Sequence, residues 1–159
     1  MASFQDRVQL GYGTTLIPGK KDPSVAHLID RILEEGYVIL PSLYTPNQVA
    51  TANSELARLD PAIEGGRNSF EGFKTRRIYA LADKSREFDC FPIHETVEKL
   101  NDYFLEPNPL LSSFHTVVIE PGEKPQQLHT DDGLITLPRP RPLMGIVCNT
   151  ACILLALFS

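Results

Sequence analysis

Apolar residues recur at helical spacing in the first third of the chain. They follow Pro23 at intervals of three and four residues, and Gly36 stands where a helix end favours a left-handed conformation. A second helix is predicted from Thr45, because its side chain and that of Gln48 have the spacing of a capping box. The pattern therefore predicts two helices, with a short apolar strand at 37–40 between them.

The pattern changes to that of strands in the middle of the chain. Residues 74–81 and 110–120 are rich in β-branched and aromatic side chains, which favours strands. Two short helical segments are predicted between them, around 85–88 and 94–104. In the strand at 110–120, alternate residues share one face. These residues are Leu111, Ser113, His115, Val117 and Ile119.

The last part of the chain continues the strand pattern. Residues 133–137 and 143–148 are strand candidates, and a proline-rich loop at 138–142 separates them, since prolines interrupt central strands. Arg139 and Arg141 in that loop are predicted to be solvated, with carboxylate binding as the alternative.

Several other residues have a structural interpretation. His115 is either a satisfied core histidine or a polar wall of a cavity, and both alternatives stay open. Arg76 and Arg77 are predicted to lie at a solvated strand edge. Cys148 and Cys152 are predicted to be small buried apolar groups.

Composition and charge exclude several classes of protein. A length of 159 residues favours one domain, and 42% hydrophobic with 22% charged residues is ordinary for a globular protein. The net charge of −5 argues against nucleic acid or an anionic membrane as a partner. Three cysteines are an odd number, which favours a reducing compartment over a disulfide framework. With no apolar signal segment visible, the expected location is cytoplasmic.

The strongest candidate chemistry lies just after the predicted turn at Pro121-Gly122. His129 and Asp131 are two residues apart, so an extended chain places both side chains on one face. An imidazole and a carboxylate on one cation are two-thirds of the facial triad that holds non-haem Fe(II). The alternative is a loop histidine that is hydrogen-bonded to a neighbouring carboxylate.

Several stretches together resemble the phytanoyl-CoA dioxygenase family of Fe(II)/2-oxoglutarate oxygenases. The most specific is Gln126-Gln127-Leu128-His129-Thr130-Asp131-Asp132, which follows Ile119-Glu120-Pro121-Gly122. The resemblance covers roughly residues 25–148, with order and spacing in agreement. The other segments that carry it are 34–40, 72–81 and 139–143.

The resemblance implies an α+β, mainly β fold: a double-stranded β-helix, or cupin-like jelly roll, with N-terminal helices. It implies that His129 and Asp131 are iron ligands and that Gln126 lies near the 2-oxoglutarate site. The implied cofactors are Fe(II), 2-oxoglutarate and O₂, and the partner is a small organic substrate oxidised at a C–H bond. No catalytic residue beyond the metal ligands is implied.

The chain departs from this family near its C-terminus. The family takes its second histidine, and an arginine for 2-oxoglutarate, from strands well beyond the first motif. No residue after Asp131 is a histidine, and the resemblance fades after about 148. We therefore expect an N-terminal tail at 1–21 and a partial, C-terminally incomplete domain at 22–159. The uncharged run at 142–159 is too interrupted to predict a membrane helix.

Two functional classes follow from the sequence. The first is an oxygenase whose activity is complete in a longer form and impaired in this chain. The second is a non-catalytic cupin-like module that binds a metal, ligand or partner without turnover. The substrate, the outcome of the oxidation and the oligomeric state do not follow from the sequence.

Overall fold

The computed structural model describes residues 20–60, 64–105, 109–138 and 143–151. These residues form two compact units. The helical unit has its described residues in 20–41, 94–105, 109–110, 129–138 and 143–148, and the sheet unit has them in 42–60, 64–93, 111–128 and 149–151. Most of the predicted N-terminal tail lies outside the described residues, as do Arg139, Arg141 and Cys152.

The described residues form four α-helices, two 3₁₀ turns and two strands. The α-helices are α1 (Ala26–Glu35), α2 (Pro46–Leu59), α3 (Leu81–Lys84) and α4 (Glu95–Phe104). The 3₁₀ turns are Arg86–Phe88 and Asp131–Leu134, and the strands are β1 (Thr75–Arg76) and β2 (Val118–Ile119).

Helix α1 ends where the sequence predicts. Gly36 adopts φ 86°, and its N–H donates to the carbonyl oxygen of Ile32, which closes the helix. The helix starts later than it would with Pro23 at its first position. Asp22 accepts from the backbone N–H of Ser24 at 2.8 Å, which makes a turn before the helix, so α1 begins three residues after Pro23.

The helical unit packs apolar residues of α1 and α4 into one core. Ile29 is fully buried at the centre. The core also contains Val25, Leu100, Tyr103 and Phe104. The segment at 37–40 joins this core through half-buried Leu40, but it has no strand partner among the described residues. The predicted strand at 37–40 is therefore wrong.

Helix α2 begins with the predicted capping box. The Gln48 backbone N–H donates to Thr45 Oγ1 at 3.3 Å, and the Thr45 N–H donates to Gln48 Oε1 at 2.8 Å. Inside the sheet unit, Ala52 of α2 packs into a core with Phe88. The other buried members of this core are Tyr44, Ile78, Leu81 and Phe91.

The sheet unit contains an antiparallel pair of strands. Thr75 lies opposite Ile119 in β1 and β2. Hydrogen bonds from Thr116 N–H to the Ile78 carbonyl and from Glu120 N–H to the Lys74 carbonyl extend this register beyond the short strands. Of the strands predicted at 74–81 and 110–120, only Thr75–Arg76 and Val118–Ile119 are confirmed as strands, and Leu81 begins α3. The jelly roll stays a prediction, since the described residues form this one two-stranded sheet.

Two other expectations are corrected. Residues 143–148 form no regular strand. Cys148 is exposed, and is not the small buried group expected. An apolar run without a neighbouring strand gains no ladder hydrogen bonds, so its β propensity alone does not form a strand.

Candidate functional site

His129 and Asp131 lie side by side in the helical unit. Thr130 between them is extended, with φ −110° and ψ 133°, which turns the two flanking side chains toward the same side. His129 Nε2 is 3.5 Å from Asp131 Oδ1. This separation is longer than the 2.7–3.2 Å that is typical of an N–H···O hydrogen bond.

A 3₁₀ turn fixes the backbone on which Asp131 lies. The N–H of Gly133 donates to the Thr130 carbonyl at 2.9 Å, and the N–H of Ile135 donates to the Asp132 carbonyl at 3.0 Å. The side chains of His129 and Asp131 are 39% and 66% exposed. The site is therefore a pair of donors at the start of a turn, open to solvent within its unit.

The separation of the two donors fits a bound metal ion. Ligand bonds of nitrogen and oxygen to a divalent metal are about 2.0–2.2 Å long, so two ligands of one ion lie within roughly 4.4 Å of each other. Imidazole with carboxylate is also the donor set of non-haem Fe(II) sites. Within the described ranges, no three His, Cys, Asp or Glu side chains gather into a group that can hold a metal. The pair thus supplies two ligands.

Gln126 belongs to the sheet unit, where it lines a cavity of about 260 Å³. Its Nε2 donates to the Phe70 carbonyl at 2.6 Å, which fixes the amide at the rim. The paired strands contribute Thr75, Val117 and Ile119 to its lining. The other lining residues are Glu71, Gly72, Arg77, Glu123, Lys124 and Pro125.

Both carboxylates of this cavity are already engaged. The side-chain hydrogen bond from Arg67, followed by its backbone N–H, lowers the pKa of Glu71 to about 2. The backbone N–H of Lys124, and then that of Lys74, hold the pKa of Glu123 below its usual range. Both groups are ionised at neutral pH, and their hydrogen bonds to the protein orient them.

The cavity also has two cationic side chains, Arg77 and Lys124. Arg77 donates to the backbone carbonyl of Glu71, which orients its guanidinium. Sequence analysis placed Arg77 at a solvated edge and gave Lys124 no role. No local sequence signal marks either residue, because their meeting depends on the register of two segments distant in sequence.

Arg76 requires a correction. Its guanidinium is only about one quarter exposed, and it binds Asp60 Oδ2 at 2.8 Å and Glu120 Oε1 at 2.7 Å. It therefore joins the end of α2 to the segment that follows β2, and is not solvated as predicted. Two carboxylates explain its conformation, since a planar guanidinium can donate to both at once.

His115 is exposed on the same sheet face as Val117. Its Nδ1 lies 2.8 Å from Ser113 Oγ, and its ring centroid is 5.4 Å from that of Tyr79. The core alternative for His115 is therefore excluded.

In the described part of the chain, no helix is both long and apolar enough to cross a membrane.

Comparison with known proteins finds one relevant similarity. The chain is 32% identical over 115 aligned positions to "Dioxygenase FUM3" of Gibberella moniliformis (strain M3125 / FGSC 7600). The alignment covers 63% of this chain and 38% of that protein. The chain therefore spans well under half the length of this curated relative. No protein-family model matches the chain, and no solved structure does.

Proposed function

We propose that this chain is an Fe(II)- and 2-oxoglutarate-dependent dioxygenase of the phytanoyl-CoA dioxygenase type. The observation that carries the proposal is the 3.5 Å separation of His129 Nε2 and Asp131 Oδ1. The printed name of the relative, a dioxygenase, supports the same reaction class. The substrate class is a small organic molecule that is oxidised at a C–H bond.

His129 and Asp131 are the metal ligands in this proposal. The imidazole binds as the neutral form through Nε2, and the carboxylate supplies negative charge that favours a divalent ion. When bound, Fe(II) with 2-oxoglutarate and O₂ supplies C–H oxidation that is coupled to the release of succinate and CO₂. The protein's part is to hold these ligands in place before the metal arrives.

Gln126 is proposed to bind 2-oxoglutarate. Its amide donates one hydrogen bond to Phe70, which leaves a second N–H and the carbonyl oxygen for a ligand. Arg77 and Lys124 line the same cavity, and their positive charge favours a dicarboxylate. Glu71 and Glu123 repel a bound dicarboxylate less than two isolated carboxylates would, because both already accept hydrogen bonds from the protein.

The jelly roll is proposed as the fold to which the paired strands belong. It is supported by the antiparallel register of 74–79 with 115–120, because jelly rolls are built from antiparallel strands. The exposed face of this pair has apolar side chains, as expected for a surface that lines a substrate cavity.

The test is an anaerobic Fe(II) titration, followed by measurement of succinate release from 2-oxoglutarate in air. We expect His129→Ala and Asp131→Asn each to weaken Fe(II) binding at least ~10-fold, since loss of outer-shell partners alone costs 10–100-fold. His27→Ala is the matched control, because His27 is an exposed histidine of α1. Asp131→Asn should keep the unfolding temperature of the wild type, because its side chain is exposed.

Each result has a distinct meaning. Equal Fe(II) affinity in the wild type and both site variants would refute the assignment of the ligands. Tight binding that depends on His129, without succinate release, would favour the non-catalytic binding module over the oxygenase.

A further inference from the structure

The side chain of Glu123 joins two segments of the sheet unit that are distant in sequence. Its Oε2 accepts hydrogen bonds from the backbone N–H of Lys74 and, at 3.2 Å, from the hydroxyl of Thr75. Its Oε1 accepts from the backbone N–H of Lys124 at 2.9 Å. Because an ionised carboxylate has several acceptor sites, this one side chain satisfies three donors and ties Lys124 to the start of β1.

A neighbouring glycine makes room for this carboxylate. Gly72 is buried and adopts φ 85°, a conformation that favours glycine. A Cβ atom at this position would lie 2.7 Å from Glu123 Oε2 and 2.6 Å from Thr75 Oγ1, which is closer than real Cβ contacts. The carboxylate therefore reaches the backbone at Lys74 only because the residue beside it has no side chain.

The other end of the segment at 123–126 is held as well. Gln126 Nε2 donates to the Phe70 carbonyl at 2.6 Å. Asn68 orders the loop that carries this carbonyl, since its Oδ1 accepts from the N–H of Phe70 at 3.0 Å. Lys124 lies between the two attachments and lines the same cavity as Gln126. The backbone of Lys124 is thus fixed on both sides.

We propose that Glu123 is a positioning residue of the cavity: by holding the backbone of Lys124, it directs the ammonium group of Lys124 toward a carboxylate of 2-oxoglutarate. The inference rests on the proposed function, which assigns this ligand to the cavity. Glu123 acts here through Lys124 and touches no ligand itself. Holding a binding group in place before the ligand arrives reduces the entropy that binding costs.

The negative charge of Glu123 predicts the opposite effect on binding, which makes the positioning role testable. If charge alone mattered, Glu123→Gln would remove a repulsion and strengthen the binding of a dicarboxylate. If positioning matters, the same change weakens binding. Glutamine keeps one acceptor oxygen, and its NH₂ group is a donor, so it cannot hold the N–H groups of both Lys74 and Lys124.

The first test is a calorimetric titration of 2-oxoglutarate into the whole chain, loaded with Fe(II) under anaerobic conditions. We expect Glu123→Gln to raise the dissociation constant at least ~10-fold, about the effect of one lost charge-assisted hydrogen bond. Glu87→Gln is the matched control, because Glu87 is an exposed glutamate of the same unit, and it should bind as the wild type does. In a Lys124→Met background, Glu123→Gln should no longer weaken binding, since the group that it positions is gone.

The second test measures the contacts of Glu123 without any ligand, by amide hydrogen exchange followed with NMR. Glu123→Ala removes both acceptor oxygens, so it should speed the exchange of the Lys74 and Lys124 amides at least ~10-fold. The amide of Thr116, which donates to the Ile78 carbonyl, should keep its wild-type rate and shows that the strand pairing is intact. Equal protection of the first two amides in the wild type and the variant would overturn the proposal.

The outcomes separate this inference from the proposed function. A wild type that binds no 2-oxoglutarate would refute the proposed function, and the positioning role would fall with it. Wild-type binding that is unchanged or stronger in Glu123→Gln would refute the positioning role alone. A Glu123→Gln effect that is equally large in the Lys124→Met background would show that Glu123 does not act through Lys124, and would also overturn the inference.

Discussion

The two units of the molecule use charged side chains in different ways. In the sheet unit, Arg76 is mostly buried between Asp60 and Glu120. In the helical unit, His129 and Asp131 face each other at 3.5 Å with much of each side chain exposed. In the first set, the charged atoms are paired with one another within the fold. The second set holds an imidazole nitrogen and a carboxylate oxygen at a separation that one metal ion can bridge.

This difference separates groups that stabilise the fold from groups that can bind. The hydrogen bonds from Arg76 hold the pKa of Asp60 below its usual range. Such a carboxylate gains little from an added cation, because its partner is already present. A histidine and a carboxylate at the start of an exposed turn contribute little to the free energy of folding. The same two side chains have the donor atoms of an iron site.

The largest effect on stability is expected in the core of the sheet unit. Phe88 is 2% exposed and packs among aromatic and aliphatic side chains. Phe88→Ala should reduce the free energy of unfolding by about 3–5 kcal/mol, because it removes buried contacts and leaves a cavity. Phe73→Ala, at a 65% exposed position of the same unit, should change it by about 0.5 kcal/mol or less. Equal losses in urea unfolding would contradict the assignment of the core.

Acid should be the next strongest perturbation. Glu71 has a pKa of about 2 in the folded chain, below the ordinary 4.5, and Asp60 and Glu123 are lowered too. The unfolded state then binds more protons as pH falls, so acid reduces stability. For Glu71 this loss runs between about pH 4.5 and 2. Arg67→Gln removes its main donor and should flatten the unfolding-temperature profile over that window; an unchanged profile would count against this pairing.

A smaller effect is expected at the start of α2. Thr45→Ala removes the oxygen that accepts from the Gln48 N–H, and should cost about 0.5–2 kcal/mol of unfolding free energy. Ser54→Ala, at an exposed position inside the same helix, is the control, with an expected change within about 0.5 kcal/mol. If both variants unfold at the same denaturant concentration, the capping box contributes nothing.

Local signals in the sequence predicted local structure well. The capping box at Thr45 and the left-handed Gly36 are confirmed, because each depends on residues within four positions. The helical segment predicted around 94–104 is confirmed as α4 for the same reason, and it buries Val97, Leu100 and Phe104.

Features that depend on distant partners were missed. Arg76 forms ion pairs with residues that lie 16 and 44 positions away in the sequence. The residues next to it therefore predict only a solvated strand edge. The strand predicted at 37–40 has the right composition but no described neighbour. The proximity of His129 and Asp131 was predicted from sequence, because an extended residue between them is enough to bring the two side chains together.

The most direct test of the metal site is X-ray absorption at the iron edge, on anaerobic protein loaded with one equivalent of Fe(II). The wild type and His27→Ala are predicted to show the outer-shell scattering of a bound imidazole. His129→Ala is predicted to lose it. Imidazole scattering that is equally strong in His129→Ala would contradict the claim that this side chain binds the metal.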